Sequence, residues 1–400
     1  MRGIRTFFSI LWSGAILLFI AYLAAVLIAF FYLSPSIVRG ILTGNCTRCL
    51  GALLLVNPFW EPLFLVWLLS GQSFLLWLSI LLGLLVGIYL YLILFHGRST
   101  YGALKLPLRR LSDRLRSESV IIVVGQIFVA ILFFDLVYFT LFLPTIGIQA
   151  EVPASFRELP EWYQMYGLVE AAFTEEIAIR VVLIGAPLAL GSLVIRLFQT
   201  SRASVGGRPR GIGFVASSLK YLAGGQVNST SPRSAQILGV VLVLLSAAFF
   251  GYLHVITWGA LWKFVDTFVG GLALGYLFLR KGVVASILLH FSINAFSLLL
   301  TASGGEDSIL SVLLIGVFYL ALAALGAGFF FFYLRESGRL LLKPLLKTSR
   351  GIVPRRLSPR GELPGPPGEL LFRVECPDCG AKEAVYEEGV VKCAACGRRL

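Results

Sequence analysis

Residues 165–195 read MYGLVEAAFTEEIAIRVVLIGAPLALGSLVI, an apolar run with charged residues near its middle. About 20 apolar residues in a helix span the roughly 30 Å hydrocarbon core of a bilayer, so this run is long enough to cross one. Glu175, Glu176 and Arg180 nevertheless lie within it. Because an ionisable side chain is costly in lipid, each of the three is by default a hypothesis about function. The stretch predicts a membrane-spanning helix that carries chemistry.

The composition of the whole chain is also strongly apolar. Hydrophobic residues make up 58% of the 400 residues and charged residues 14%, whereas soluble domains are about 25% charged. This balance excludes a soluble enzyme, a disordered protein and a disulfide scaffold. Backbone polar groups in lipid must be satisfied within their own segment, which favours helices. The sequence therefore predicts an all-α polytopic membrane protein. Its net charge of +13 does not by itself indicate nucleic-acid binding, because Lys and Arg set orientation in a membrane protein.

Apolar runs of spanning length predict about eight transmembrane helices. They lie near 8–33, 73–95, 119–143, 165–195, 237–254, 262–279, 283–301 and 309–334. The stretch 50–71 is also apolar, but Asn57-Pro58 and Glu61-Pro62 interrupt it. It could form a ninth span, a re-entrant segment or an interfacial helix, and the parity of the charged connections favours a segment that does not cross.

Basic residues are concentrated on one side of the predicted bundle. The connections 97–118 and 197–236 and the segment after 335 are rich in Lys and Arg, whereas 144–164 and 302–308 carry acidic residues. Cytoplasmic connections of membrane proteins carry the excess of Lys and Arg. We therefore expect a multi-pass protein of the cell membrane with both termini in the cytoplasm.

Helix geometry separates Glu175, Glu176 and Arg180, three of the four charged residues of 165–195. Glu176 and Arg180 are spaced i and i+4, which places them side by side on one face, where they can neutralise each other. Glu175 points about 100° away around the helix and is free to face a cavity. An ion pair that only holds helices together is the alternative for Glu176 and Arg180.

Two of the chain's three histidines also lie in predicted spans. His254 ends the fifth span, and His290 shares a helix face with Asn294, four residues on. A lone histidine in a membrane is more often a hydrogen-bond partner between helices. Two imidazoles, an amide and a diacidic helix together suit peptide-bond hydrolysis. In that reaction a base activates water, a histidine shares the proton or holds a metal, and amide or imidazole donors stabilise the oxyanion.

The predicted spans place the two histidines at different depths. His254 lies far along its span from the cytoplasmic side, whereas His290 lies near the start of its own. A single site therefore requires a strongly tilted fifth helix or a turn of 255–261 back into the protein interior.

Other polar residues in the spans carry weaker signals. Lys263 and Asp266 are expected to pair, either at the edge of a cavity or as a plain interfacial salt bridge. Asp135 is alone in the third span, which favours a helix–helix hydrogen bond over a catalytic role.

Three motifs follow one another on separate predicted spans: Glu175-Glu176-x-x-x-Arg180, Phe250-x-x-x-His254 and His290-x-x-x-Asn294. In this order they resemble the CPBP intramembrane proteases, the CAAX-protease and bacteriocin-processing group. The resemblance covers 165–301 and implies that Glu175 and His254 activate water. It implies oxyanion binding by His290 and Asn294, with Glu176 and Arg180 as a supporting pair. The family is described both as metalloproteases and as glutamate proteases, so a catalytic divalent metal at His254 and His290 stays open.

The C-terminal cysteines form two C-x-x-C pairs, Cys376/Cys379 and Cys393/Cys396, separated by 13 residues. Four thiolates at this spacing suit a tetrahedral structural zinc, and so small a module needs such a staple to fold. The pattern looks like a zinc ribbon, and its balance of acidic and basic residues favours a protein partner over nucleic acid. Cys46 and Cys49 are expected on the opposite side of the membrane, in a local disulfide or without a role.

The chain therefore divides into four predicted regions. These are an N-terminal transmembrane region at 1–118, a CPBP-like protease core at 119–334, a basic and Pro/Gly-rich cytoplasmic linker at 335–369 and a zinc ribbon at 370–400. The predicted function is intramembrane hydrolysis of a peptide bond in a membrane-associated protein or a prenylated peptide.

Two other functions fit the same residues. A proton-coupled transporter is one, since buried Glu and His also form proton relays. Transporters are often built from repeated halves, and the sequence contains no visible repeat. The other is a non-catalytic membrane scaffold that recruits partners through the ribbon.

Overall fold

The structure is a computed structural model. It describes residues 2–43, 71–105, 117, 119–151, 158–202, 213–225, 227, 231, 233–302, 309–349, 370–372, 384–387 and 390–393. Contacts divide the chain into two compact units, 1–345 and 346–400.

The larger unit is built from helices. Their bounds are α1 (Arg2–Thr43), α2 (Gly71–Tyr91), α3 (Gly97–Lys105), α4 (Val120–Val137), α5 (Leu143–Thr145), α6 (Glu161–Glu175), α7 (Ala186–Arg202), α8 (Gly213–Ala223), α9 (Arg233–Trp258), α10 (Trp262–Lys281), α11 (Val283–Ala302) and α12 (Ile309–Ser349). Three π-helical segments, π1 (Leu92–His96), π2 (Tyr138–Phe142) and π3 (Glu176–Gly185), join α2 to α3, α4 to α5 and α6 to α7.

Seven of the described segments are long and apolar enough to cross a membrane. They are Ser9–Ala29, Ser79–Lys105, Val120–Thr145, Tyr166–Ile195, Ser234–Trp258, Trp262–Lys281 and Tyr319–Gly338. The prediction of an all-α polytopic membrane protein is confirmed. The predicted span 283–301 falls in α11, whose apolar part Val283–Leu298 is shorter than the other seven. Of the undecided stretch 50–71, residues 50–70 lie outside the described part of the chain.

The most buried of these segments is the one that contains α4. The ring of Phe128 on α4 lies 5.1 Å from that of Phe19 on α1 and 5.8 Å from that of Phe296 on α11. On the same helix, Gln126 Oε1 accepts a hydrogen bond of 2.7 Å from the Tyr333 hydroxyl of α12. Helix α4 therefore joins the N-terminal helix to the helices that carry the histidine–asparagine motif and the C-terminal span.

Helices α9 and α10 form a close antiparallel hairpin. Residues 255–258 continue α9, so the return of 255–261 into the interior is not what brings the histidines together. Gly259 occupies a left-handed conformation (φ 65°) in the short turn. A Cβ atom on Gly271 would lie 3.1 Å from the Cα of Ala247, and small residues of this kind let membrane helices approach closely. This approach positions the end of α9, which carries the second motif.

The second unit contains a three-stranded antiparallel sheet of order β1–β2–β3. Its strands are β1 (Leu370–Phe372), β2 (Ala384–Glu387) and β3 (Val390–Cys393). The predicted zinc ligands Cys376, Cys379 and Cys396 lie outside the described residues, and only the backbone of Cys393 is described. The zinc ribbon therefore stays a prediction.

Candidate active site

Three helical regions carry the predicted site residues. Glu175 is the last residue of α6 and Glu176 the first of π3, so the wider π-helical turn starts between them. His254 lies one turn before the end of α9, and His290 and Asn294 lie along α11. Interruptions of α-helical geometry by π-helical turns are frequent at functional sites.

Glu176 is fully buried and links two helices. Its Oε1 accepts a hydrogen bond of 3.0 Å from Nδ1 of His290, and its Oε2 lies 3.3 Å from Nε of Arg180. The hydroxyl of Ser286 also donates to Oε2. The predicted pairing of Glu176 with Arg180 is thus present, and the same carboxylate also fixes the orientation of the His290 ring.

Arg180 is fully buried, with a side-chain exposure of 0%. Its charge is met by Glu176 and by the ring of Phe250, whose centroid lies 5.2 Å from Cζ of Arg180. None of its three side-chain nitrogens makes a hydrogen bond to another described residue. Since so few groups compensate this buried cation, the stability of the folded protein depends strongly on the Glu176 carboxylate.

Glu175 has a different environment from its neighbour. Its side chain is 17% exposed, and Oε2 lies 3.7 Å from Nε2 of His290. This separation is longer than a hydrogen bond, and Oε2 makes no hydrogen bond to any described residue. Oε2 of Glu175 is therefore a buried acceptor beside His290 that makes no hydrogen bond within the described residues.

His254 and His290 are held near each other by Phe250. The ring of Phe250 lies 4.4 Å from that of His254 and 6.1 Å from that of His290, edge-on to both. Nδ1 of His254 lies 3.0 Å from the carbonyl oxygen of Phe250, which can only accept, so Nδ1 carries the proton. In the neutral ring Nε2 is then left as the acceptor.

Asn294 ties α11 to the diacidic helix. Its Nδ2 donates a hydrogen bond of 3.3 Å to the carbonyl oxygen of Leu168 on α6. An amide carries two N–H donors, so one can still point to a ligand while the other holds the side chain in place.

A cavity of about 870 Å³ joins these groups. It is lined by three of the predicted site residues, His254, His290 and Asn294, and by Phe250 between the two imidazoles. Glu175 does not line the cavity itself, and its carboxylate reaches the cavity wall at His290. The structure thus brings together all four residues that the motifs predict to act on water and the oxyanion.

Residues 158–296, which contain every one of these side chains, match the protein family described as Rce1-like, type II CAAX prenyl endopeptidase Rce1-like. This match covers about a third of the chain and supports a CAAX-protease domain in that part. The resemblance to the CPBP intramembrane proteases is thereby confirmed, and it supports a membrane protease that acts on membrane-associated substrates. Comparison with curated proteins and with solved structures found no match.

The residues of this CAAX-protease domain do not fit a metal centre with three protein ligands. Within the described ranges, no group of three or more His, Cys, Asp or Glu side chains is placed to hold a metal ion. His254 and His290 each use Nδ1 to donate to the protein, to Phe250 and Glu176 respectively. These bonds orient both rings through Nδ1, as in histidines that bind a metal through Nε2, so a divalent metal at His254 and His290 stays a prediction.

Asp135 was noted in the sequence, but its place on the cavity wall was not predicted. It lines the cavity from α4, and its Oδ1 is buried without a hydrogen bond to any described residue. The predicted helix–helix hydrogen bond is therefore absent at this atom. Lys263 and Asp266 also line the cavity and pair at 2.6 Å, as predicted for a pair at its edge.

Ser286 is a site residue that sequence reasoning missed, because its contact with Glu176 joins positions far apart in sequence. The only available signal was its spacing, since Ser286 precedes His290 by one helical turn and so shares its face.

Proposed function

We propose that this protein is an intramembrane endopeptidase that hydrolyses a peptide bond of a membrane-associated protein or a prenylated peptide. One observation carries the proposal: the Glu175 carboxylate, which makes no hydrogen bond to a described residue, lies 3.7 Å from a histidine of a cavity that also presents His254 and Asn294. A base, imidazoles and an amide donor around one space are the groups that peptide hydrolysis needs.

Glu175 and His254 act on the water in this proposal. Glu175 accepts a proton from the water while the water oxygen bonds to the carbonyl carbon of the substrate. Nε2 of His254 accepts a hydrogen bond from the same water. The proton then passes to the amide nitrogen, and the carbon–nitrogen bond breaks. The water oxygen stays on the new carboxyl group, whose remaining proton passes to Nε2 of His254, and the other product is a new amine.

Asn294 and His290 stabilise the negative charge that develops on the carbonyl oxygen. The second amide hydrogen of Asn294 is one donor. His290 is the other in its doubly protonated form, in which Nδ1 donates to Glu176 and Nε2 donates to the oxyanion. Glu176 positions His290 through Nδ1, which leaves Nε2 toward Glu175 and the substrate. Arg180 acts through Glu176 and does not touch the reacting atoms.

The test is cleavage of membrane-tethered peptides by the purified full-length protein. The peptide set includes prenylated C-terminal peptides and unprenylated anchored peptides, and mass spectrometry identifies the new termini. We expect defined cleavage products from the wild-type protein, and none from Glu175→Gln prepared in the same way. A parallel incubation with a chelator measures the metal dependence of the reaction.

The same preparation separates the proposal from a transporter or a scaffold. Proton flux in reconstituted vesicles without cleavage of any peptide would favour the transporter and contradict the proposal. Cleavage that is unchanged in Glu175→Gln would contradict the mechanism, because it would show that another group or a contaminating protease cuts the peptide.

A further inference from the structure

The cavity lies at one end of the helix bundle. Its walls come from the last turns of α9, the first turns of α10 and the segment that follows α5. Exposed residues of that segment, Gly147, Gln149 and Ala150, line the cavity as well. The cavity therefore reaches the protein surface at the end where α9 turns into α10.

The opposite end of the bundle is fixed by three contacts. Thr100 on α3 and Ser119 before α4 share a hydrogen bond of 2.7 Å between their hydroxyls, which joins the ends of those helices. The backbone N–H of Gly225 donates to the carbonyl oxygen of Phe278 at 2.7 Å, near the end of α10. Tyr333 of α12 bonds to Gln126 in the first half of α4. The connections around 106–118, 203–232 and 280–283 therefore begin and end away from the cavity.

Charge is divided sharply between these two ends. Next to the described helix ends on the cavity side, the sequence of 146–160 and 303–308 contains one basic residue, Arg157, against four acidic ones, Glu151, Glu158, Glu306 and Asp307. Arg39 near the end of α1 adds one positive charge on that side, and the Lys263–Asp266 pair adds none. The stretches of sequence that join the described helix ends away from the cavity are basic: they contain Arg98, Lys105, Arg109, Arg110, Arg114, Arg116, Arg202, Arg208, Arg210, Lys220, Arg233, Arg280 and Lys281. The acidic residues in the same stretches are Asp113 and Glu118. Basic connections of this kind stay in the cytoplasm.

We infer that the active-site cavity opens on the non-cytoplasmic side of the membrane. Its substrate is then a segment of a membrane-anchored protein that is presented from that side, and not a prenylated C-terminus in the cytoplasm. The statement about the substrate rests on the proposed function. The direction of the opening rests only on the distribution of charge and on the arrangement of the helices.

Two tryptophans set the depth of the site. Trp258 and Trp262 line the cavity at the α9–α10 turn, and Nζ of Lys263 lies 4.4 Å from the ring centroid of Trp258. Tryptophan and lysine of this type favour the membrane–water interface. His254 precedes Trp258 by one helical turn, a rise of about 5.4 Å. The scissile bond therefore enters just below the outer interface, close to where a substrate anchor leaves the membrane.

Cysteine labelling tests the direction of the opening. Two variants are compared in a background in which all six native cysteines are changed to Ser. Glu151→Cys lies at the cavity end and Lys220→Cys at the basic end, and both positions are exposed. We expect a membrane-impermeant maleimide to label Glu151→Cys on intact cells, and Lys220→Cys only after the membrane is permeabilised. The reverse pattern would overturn the inference.

Oriented membranes test the substrate side separately. An anchored peptide that the detergent-solubilised enzyme cleaves is added to right-side-out and to inside-out vesicles. Cleavage in right-side-out vesicles alone supports the inference, and cleavage in inside-out vesicles alone overturns it while the protease proposal stands. If no peptide is cleaved even in detergent, the proposed function fails, and the labelling result alone decides the direction of the opening.

Discussion

Glu175 and Glu176 are adjacent in sequence but differ in every contact that matters for chemistry. Glu176 is fully buried and holds Arg180, His290 and Ser286. Glu175 is partly exposed and makes no hydrogen bond through Oε2 within the described residues. The Glu176 carboxylate thus holds neighbouring side chains in place, whereas Oε2 of Glu175 has no such contact and can take part in a reaction.

Glu176→Gln is expected to destabilise the protein. The amide keeps the shape of the side chain but removes the negative charge beside Arg180, which leaves an uncompensated buried cation. Breaking a buried pair in this way costs about 3–5 kcal/mol of unfolding free energy. Thermal unfolding in detergent measures the loss, with Glu175→Gln as the matched control. Equal destabilisation of the two variants would show that the roles of the glutamates are assigned wrongly.

Asn294→Ala is expected to reduce kcat rather than raise KM. Removal of one oxyanion donor lowers kcat by about 10²- to 10³-fold, whereas the lost bond to Leu168 costs only about 1 kcal/mol of stability. Steady-state cleavage of an anchored peptide measures both constants. Ser292→Ala is the control, because Ser292 lies on the same helix, does not line the cavity and bonds its own helix at Leu288. A rise in KM with unchanged kcat would assign Asn294 to substrate binding instead.

At the site, spacing along one helix was predictable and contact between helices was not. The i,i+4 rule is enough to pair Glu176 with Arg180. The bond from His290 to Glu176 joins residues 114 positions apart, and the bond from Ser286 joins residues 110 apart. Such contacts depend on how α11 packs against the diacidic helix, and one sequence does not contain that packing.

The α9–α10 hairpin places the second motif, so its packing is expected to matter for activity as well as stability. Gly275→Ala puts a Cβ atom 2.8 Å from Cγ1 of Val243, which is closer than real contacts allow. We expect a loss of about 1–3 kcal/mol from this overpacking. We also expect slower cleavage, because the added methyl group pushes α9 away from α10 and displaces Phe250 and His254, which lie on α9.

Gly83→Ala on α2 is the matched control for this change. A Cβ atom there meets nothing within 4 Å, and alanine favours a helix over glycine by about 1 kcal/mol. Thermal unfolding and cleavage of both variants are compared. If Gly275→Ala is as stable and active as Gly83→Ala, close packing of this hairpin does not position the site.

Among the elements, hydropathy predicted the spans but not their irregularities. Length and apolar content are enough to find the membrane helices. The π-helical turn that begins at Glu176 could not be predicted, because it changes backbone hydrogen bonding without changing the apolar pattern. The end of α9 was also predicted too early, at 254 instead of Trp258.

Across the whole molecule, the tail forms a compact unit of its own with a small sheet. We predict that Cys376, Cys379, Cys393 and Cys396 bind one structural zinc and that the tail is not needed for hydrolysis. Elemental analysis of the purified full-length protein should find zinc, and truncation after Lys347 should remove the metal but not cleavage of a small anchored peptide. A folded truncated protein without turnover, or a full-length protein without zinc, would contradict this division.

Single-turnover cleavage by Glu175→Gln tests the assignment of the general base most directly. Full-length wild-type, Glu175→Gln and the exposed control Glu151→Gln are each mixed in excess with an anchored peptide, and equal thermal stability is checked first. We expect the control to match the wild type and Glu175→Gln to be slower by about 10²- to 10⁴-fold, the usual contribution of a general base. A folded Glu175→Gln that cleaves at the wild-type rate would contradict the proposal that this carboxylate activates water.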